Sequence, residues 1–309
     1  MIEIIDFFSD VPLSFRSSIL IGGIVFFWIL EGIIPLYSFN YKKTNHALTN
    51  LFFTICTAII GFGLAFLLLK STDFVSQNKI GLIQLYDIPL FIQVLMSLLI
   101  LDFGAYLVHF IEHKVPWMWK FHLVHHSDMN VDVTTGLRHH PGEIIFRITF
   151  TILCIYISGA SIGMVMLYQS LSVLFAHITH ANINIPKKVD NFISLIFVTP
   201  HMHKIHHHYK QPLTDTNYGN IFSIWDRLFS THTNVAEFEP EGPEDIEMAQ
   251  QATDYVNYVF NKQNEGFKVL YDSFKDALIS KTGIIKHYWE EKKEITTERF
   301  TNLTEIEYQ

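Results

Sequence analysis

Apolar positions in this chain gather into long runs separated by short polar stretches. Ser18 to Tyr37 is mostly apolar over about 20 residues, enough to cross a bilayer as a helix. Glu31 interrupts it and reads as an interfacial residue rather than a buried polar contact. A polar turn, Ser38 to His46 with Lys42 and Lys43, leads to a second run from Ala47 to Leu69. Lys70 to Asp87 reads as a linker, and Ile88 to Val108 as a third span that runs straight into histidines. Glu143 to Phe175 is apolar for more than 30 residues, too long for one simple crossing, with Ser158-Gly159-Ala160-Ser161-Ile162-Gly163 near its middle. After Val235 the hydropathy falls. Glu237 to Asp245, with Pro240, Gly242 and Pro243, reads as a linker, and Ile246 to Phe300 as two or three amphipathic helices broken near Gly266 and Gly283.

Composition agrees with a membrane bundle carrying a polar appendage. Of 309 residues 49% are hydrophobic, and the mean hydropathy is +0.23. The net charge of −8 belongs to the tail. Residues 235–309 hold 16 acidic and 8 basic side chains, which leaves the remainder neutral and gives no footprint for nucleic acid. Residues 1–17, with Glu3, Asp6 and Asp10, lack the basic start of a signal peptide. Cys56 and Cys154 sit in apolar runs and read as buried thiols.

Histidine is the anomaly: 14 of the 17 fall between His109 and His208. His109 and His113 form His-x-x-x-His. His122, His125 and His126 form His-x-x-His-His, and His203, His206 and His207 repeat it. On a helix, positions i, i+3 and i+4 share a face. A lone histidine is an ordinary polar residue, but three spaced clusters are a donor set, and neutral imidazole binds iron, zinc, copper or nickel. Two ions with about four ligands each would use these eight rings. The two groups flank the 143–175 run and must meet to share a site. One tilted crossing would separate them, whereas a helical hairpin returns them to one face. The expectation is therefore a hairpin. Asp102, Tyr106, His109 and His113 make one helical stripe, and Asp102 is expected to accept from the second nitrogen of a ligand imidazole. Glu112 is either a supporting group or solvated. Lys42, Lys43, Lys114, Lys120, Arg138 and Arg147 fall on the histidine side, against Arg16, Lys70 and Lys79 on the other, which predicts a cytoplasmic metal face.

These motifs, in this order around apolar spans, resemble the fatty acid hydroxylase/sterol desaturase superfamily of membrane di-iron oxidases. The resemblance runs from Leu101 to His232. It includes Arg138-His139-His140-Pro141-Gly142-Glu143, His180-Ala181-Asn182, Asn217-Tyr218-Gly219-Asn220 and Trp225-Asp226-Arg227-Leu228-Phe229. It departs at His201, where the family often has a basic residue. The resemblance implies metal ligands at His109, His113, His122, His125, His126, His203, His206 and His207, with His180 a ninth. It implies no catalytic residue beyond them. Supporting roles fall to Asp102, Glu112, His140, Glu143, His177, Asn217 and Asp226, with His140 either another ligand or orienting Glu143, and Asp226 holding a ligand ring. His139, His201 and His208 are neighbours without an assigned role.

The resulting expectation is an all-α integral membrane protein: a four-helix transmembrane bundle with a cytosolic histidine-rich di-metal cap and a helical C-terminal tail. Residues 1–97 would be an N-terminal membrane hairpin and linker, 98–234 the catalytic domain and 235–309 the acidic tail. The resemblance implies two iron ions (zinc also fits such sites) and dioxygen as co-substrate. It implies hydroxylation or desaturation of a sterol, fatty acyl or ether lipid, with electrons from a separate ferredoxin, cytochrome b5 or reductase-type donor. A histidine-rich membrane metal carrier is the alternative.

Overall fold

A computed structural model describes residues 1–209, 213–229, 231 and 255–256. All regular elements among the described residues are helices: α1 (Ile2–Ser9), α2 (Leu13–Ser17), α3 (Gly23–Ile33), α4 (Lys43–Asn78), α5 (Leu90–Lys114), α6 (Pro116–His126), α7 (Glu143–Ser158), α8 (Ile162–His180), α9 (Lys187–Ile193), α10 (Pro200–His206) and α11 (Ile224–Leu228). The helical tail expected at residues 246–300 lies almost wholly outside the described residues. Four stretches are long and apolar enough to cross a membrane: Leu13–Ile33 (α2 and α3 joined by a π-helical turn), Lys43–Gln84, α5 and α8.

Large apolar side chains such as Phe62, Ile59 and Phe26 point outward from these helices. In water that would be costly; against lipid it is the stable arrangement. Burial within the protein falls unevenly. Only 6% of the Leu13–Ile33 and Lys43–Gln84 windows is enclosed, against 44% for α5, so α5 is the helix the others surround. At Gly104 it meets α7 so closely that an added Cβ would lie 2.2 Å from Cys154 Sγ. The apolar core joins Val94 and Leu101 of α5 to Val75 of α4, Ile155 of α7 and Met164, Val165 and Tyr168 of α8.

The 143–175 run does form a hairpin. Helix α7 ends at Ser158, Gly159 turns the chain at φ +83°, and the Ser161 side chain caps α8 through Met164 N. His180 therefore returns to the level of His109 and His122. Two expectations are corrected. Residues 70–78 are not linker: α4 continues to Asn78 because Ser71, Thr72 and Val75 are buried and Phe74 packs on Tyr156. Glu31 is not an interfacial residue. It is 5% exposed and accepts from Val133 N at 2.7 Å, Asn182 N at 2.9 Å and Lys43 Nζ at 2.6 Å, tying α3, α4 and the chain beyond α8 together. Removing it orphans two buried N–H donors at about 1–3 kcal/mol each. Glu31→Ala should thus lower stability by about 2–6 kcal/mol, read as a drop in melting temperature in detergent.

The loop from Ser127 to Gly142 packs over the start of α4. His46 bridges Asp128 (2.8 Å) and Asp132 (3.1 Å), Tyr41 donates to Asp132, and Asn50 donates to Thr134 at 2.8 Å. Asp132 also caps the short 3₁₀ turn Val133–Leu137, with Thr135 closing the reciprocal bond. This network holds the loop after α6 against the membrane bundle and fixes the end of the molecule at which the histidines gather.

Candidate metal centre

Four segments deliver the histidines. His109 and His113 stand one turn apart near the end of α5. Pro116 starts α6, which carries His122, His125 and His126, and the last turn of α8 carries His180. Thr199 caps α10 through Met202 N, and α10 presents His203 and His206, with His207 just beyond.

The rings form two adjacent groups, in each of which the nitrogens lie within 4.8 Å of one another. One is His109, His113, His122, His126 and His206; the other is His125, His180, His203 and His207. They touch through His126 and His207, whose ring centroids are 4.6 Å apart, and through His125 and His126 at 5.5 Å. All nine residues named as ligands from the sequence fall in these groups.

Partners of the second ring nitrogen say what the first can do. His109 Nδ1–H donates to Tyr218 O (2.8 Å), His206 Nδ1–H to Thr216 O (2.7 Å), His180 Nδ1–H to Ala176 O (2.8 Å) and His125 Nδ1–H to Arg138 O (3.2 Å). His122 Nδ1 meets Glu143 Oε1 at 3.1 Å and His113 Nδ1 meets Asp215 Oδ1 at 3.3 Å. A carbonyl or carboxylate partner fixes the Nδ1–H tautomer and leaves Nε2 with a bare lone pair. Those lone pairs face each other: His109 and His122 Nε2 are 3.0 Å apart and His125 and His180 3.1 Å, while His203 Nε2, whose Nδ1 has no protein partner, lies 2.9 Å from His180 Nε2. Two opposed acceptor pairs repel unless a cation lies among them. His113 and His206 Nε2 and both nitrogens of His126 and His207 are buried with no protein partner. Each group could therefore hold a metal ion.

Burial first, then repulsion among neighbouring rings, pushes the titration of His122, His125, His126, His203, His206 and His207 well below the ordinary histidine range. They stay neutral, the form that binds metal. In the unfolded chain they would protonate near about pH 6.5. Below that value the unfolded state binds more protons than the folded one, so stability is lost as the pH is lowered. Metal-free protein melted in detergent should therefore unfold at a lower temperature at about pH 5.5 than at about pH 7.5. Lys204 lies under the second group, its Nζ donating to Val131 O and His180 O, both at 2.6 Å. Burial pulls its pKa down to about 7, against the pull of Glu31, Asp132 and Asp128.

Comparison with known proteins matches the fatty acid hydroxylase family model to residues 94–231, a stretch that contains every histidine of both groups. This stretch is a member of the fatty acid hydroxylase/sterol desaturase superfamily. Among curated relatives, ornithine lipid hydroxylase OlsE of Rhizobium tropici is 31% identical over 146 residues, 47% of this chain and 43% of that one. Alkylglycerol monooxygenase of Caenorhabditis elegans is 31% identical over 42% of this chain and 25% of its own, and the human enzyme 30% over 42% and 28%. The match thus spans less than half the length of each of these relatives. A model for the phage SU10 portal protein matches residues 225–309, which include none of the nine clustered histidines. No solved structure matches.

Among the residues given supporting roles, Glu143 and Glu112 face His122 Nδ1, at 3.1 and 3.7 Å, but others stand elsewhere. Asp102 touches no imidazole; it accepts from Ile221 N, Phe222 N (both 3.1 Å) and Trp225 Nε1 (2.9 Å). Asp226 accepts from Tyr218 N and Gly219 N, and so acts on His109 only through the Tyr218 carbonyl. His140 accepts from Gly142 N and packs on Phe121, whereas His139 is the ring that meets Glu143, at 3.0 Å. His177 lies against Gly23 of α3 and belongs to neither group. Asn217, at φ +54°, donates to Met202 O. His201 pairs with Asp190, and His208 stacks on Tyr209. Glu112 is fully buried and ion-pairs with Arg147 at 3.1 Å. Sequence reasoning missed Arg147, which bridges Glu112 and Glu143, and Asp215 beside His113. Glu143 and Arg147 stand at i, i+4, a legible spacing. Nothing in the sequence marks the four carbonyl acceptors.

Proposed function

We propose that this protein is a membrane-bound, dioxygen-dependent lipid hydroxylase whose nine clustered histidines hold two iron ions. The observation that carries the reading is the pairing of opposed imidazole lone pairs in two touching groups, at one end of membrane helices, inside a fatty acid hydroxylase domain. Two irons would supply the redox chemistry that an unactivated C–H bond requires and that acid–base catalysis cannot give. The overall balance is R–H plus O2, two electrons and two protons to R–OH plus water. The electrons come from a separate donor protein of ferredoxin, cytochrome b5 or reductase type.

The chain's own contribution is orientation and dryness. Backbone carbonyls of Arg138, Ala176, Thr216 and Tyr218, with the Glu143 carboxylate, lock the rings. Buried Tyr218 and the surrounding imidazoles keep water from the centre. Helices α5 and α8 lead from the bilayer to the ligands, so the substrate is a lipid whose chain stays in the membrane. Ornithine lipid and alkylglycerol, named for the relatives, are such amphiphiles, and hydroxylation is favoured over desaturation because both relatives are hydroxylating enzymes. The metal end faces the cytoplasm by the distribution of Lys and Arg. Metal carriage across the bilayer is the weaker reading, because the imidazoles gather at one end of α5 and α8 instead of lining a path.

Lipid extracts from cells with and without the protein, compared by mass spectrometry, test the proposal. A lipid that gains one oxygen supports it, and loss of two hydrogens would replace hydroxylation with desaturation. Identical lipidomes with the protein expressed and metallated would overturn it.

A further inference from the structure

The chain from α9 to α11 supplies His203, His206 and His207 and the carbonyls that lock His206 and His109. Its outer surface is wrong for water. Val189, Phe192, Leu195, Ile196, Leu228 and Phe229 are 47%, 76%, 55%, 53%, 55% and 50% exposed. In α9, Asp190 turns inward to His201 while Val189 and Phe192 turn out, beside exposed Lys187, Lys188 and Asn191.

Depth explains this. On α5 the segment docks at Asp102, which binds Ile221, Phe222 and Trp225, and at Phe103, which stacks on Phe229. Both lie roughly two helical turns on the membrane side of His109. On α8 it docks at Phe175, Ser172 and Tyr168, through Phe197 and Asn220. These stand roughly one to three turns before His180. At about 1.5 Å per residue, two independent helices place the segment some 7–18 Å below the histidine level, alongside lipid-facing helix surface. Irregular backbone survives at that depth only if its polar groups are met by protein. Here they are. Asp102 and Asp226 take four N–H groups of the 218–222 turn, Phe197 pairs with Phe222, and Ser194 O accepts from Ser223 Oγ and Arg227 Nη2.

We propose that the described residues of 187–209 and 213–229 form a re-entrant element whose outer face, Val189, Phe192, Leu195, Ile196, Leu228 and Phe229, is embedded in the acyl region of the leaflet on the histidine side. The occupant of this face is lipid, because the face continues the lipid-facing surface of α5 and α8 at matching depth. The same element that grips the bilayer holds the C-terminal ligands, so it sets how deep the centre sits. This inference does not depend on which metal binds or on what is oxidised.

Nitroxide depth measurement tests it. Phe192→Cys, Leu195→Cys and Leu228→Cys would each be spin-labelled in full-length protein with Cys56 and Cys154 replaced by alanine, in phosphatidylcholine/phosphatidylglycerol vesicles. Met129→Cys, in the polar loop, reports water, and Phe62→Cys, at mid-span on α4, reports lipid. The expected result is an oxygen-to-nickel-chelate accessibility ratio several-fold above that at Met129 and towards that at Phe62, at two or more of the three sites. A ratio matching Met129 would overturn the proposal, and so would shielding from both reagents, which would mean that protein covers the face. The sites lie on two separate stretches, Phe192 and Leu195 at α9 and Leu228 on α11, so misfolding of one variant leaves the others decisive.

Discussion

His206→Ala is expected to abolish lipid hydroxylation and to empty the five-histidine group, with purified protein losing about half its bound metal. The ring of His206 sits between those of His109 (4.6 Å), His113 (4.8 Å) and His126 (4.6 Å), and is wholly buried. Alanine removes a donor and leaves the Thr216 carbonyl and the opposing imidazoles facing a gap. Loss of a group that merely supports a ligand costs about 10–100-fold, so loss of the ligand should exceed roughly 100-fold in turnover. His125→Ala should do the same from the other group, since the proposed chemistry needs both ions. His201→Ala, outside both groups, should leave turnover near wild type. Product formation by either ligand variant at wild-type rate would refute the assignment.

Glu143→Gln is the second large effect, and it should be lopsided. The carboxylate is fully buried and holds His122 Nδ1, His139 Nδ1 and Arg147 together, while Glu112 shares Arg147 and lies farther from His122 Nδ1, at 3.7 Å. His122 belongs to the five-histidine group; among the described residues no ring of the other group bonds Glu143. Gln keeps the shape but loses the charge that binds the His122 N–H and balances Arg147. Metal affinity of that group should fall about 10–100-fold, with the four-histidine group unchanged. Titrating a chelator into variant and wild type would separate the two losses. Equal weakening of both ions would show that Glu143 supports the fold as a whole rather than His122.

Much of this was legible because it rests on local spacing. The i, i+3 and i+4 histidines, the apolar runs and the small residues around Gly159 each have one physical reading, and topology then required the hairpin. Misreadings arose where a side chain's partner lies far along the chain. Asp102 stood at the right helical position for an imidazole, but the orphan N–H groups of residues 221 and 222, more than a hundred positions away, claim it. Glu31 looked interfacial because nothing nearby announces Val133 or Asn182. His139 and His140 are adjacent, and only the turn into α7 decides which faces Glu143. The apolar outer face of α9 and α11 was invisible for the same reason: depth is a property of what a segment packs on.

The central claim is that two ions sit side by side in one nest of imidazoles. Counting metal per chain in protein purified from iron-supplied cells, with X-ray absorption at the metal edge on the same sample, tests it most directly. The account predicts two ions per chain, both bound by imidazole nitrogen and each with the other as a neighbour. A single ion per chain with metallation complete, or a coordination shell dominated by carboxylate oxygen, would contradict it.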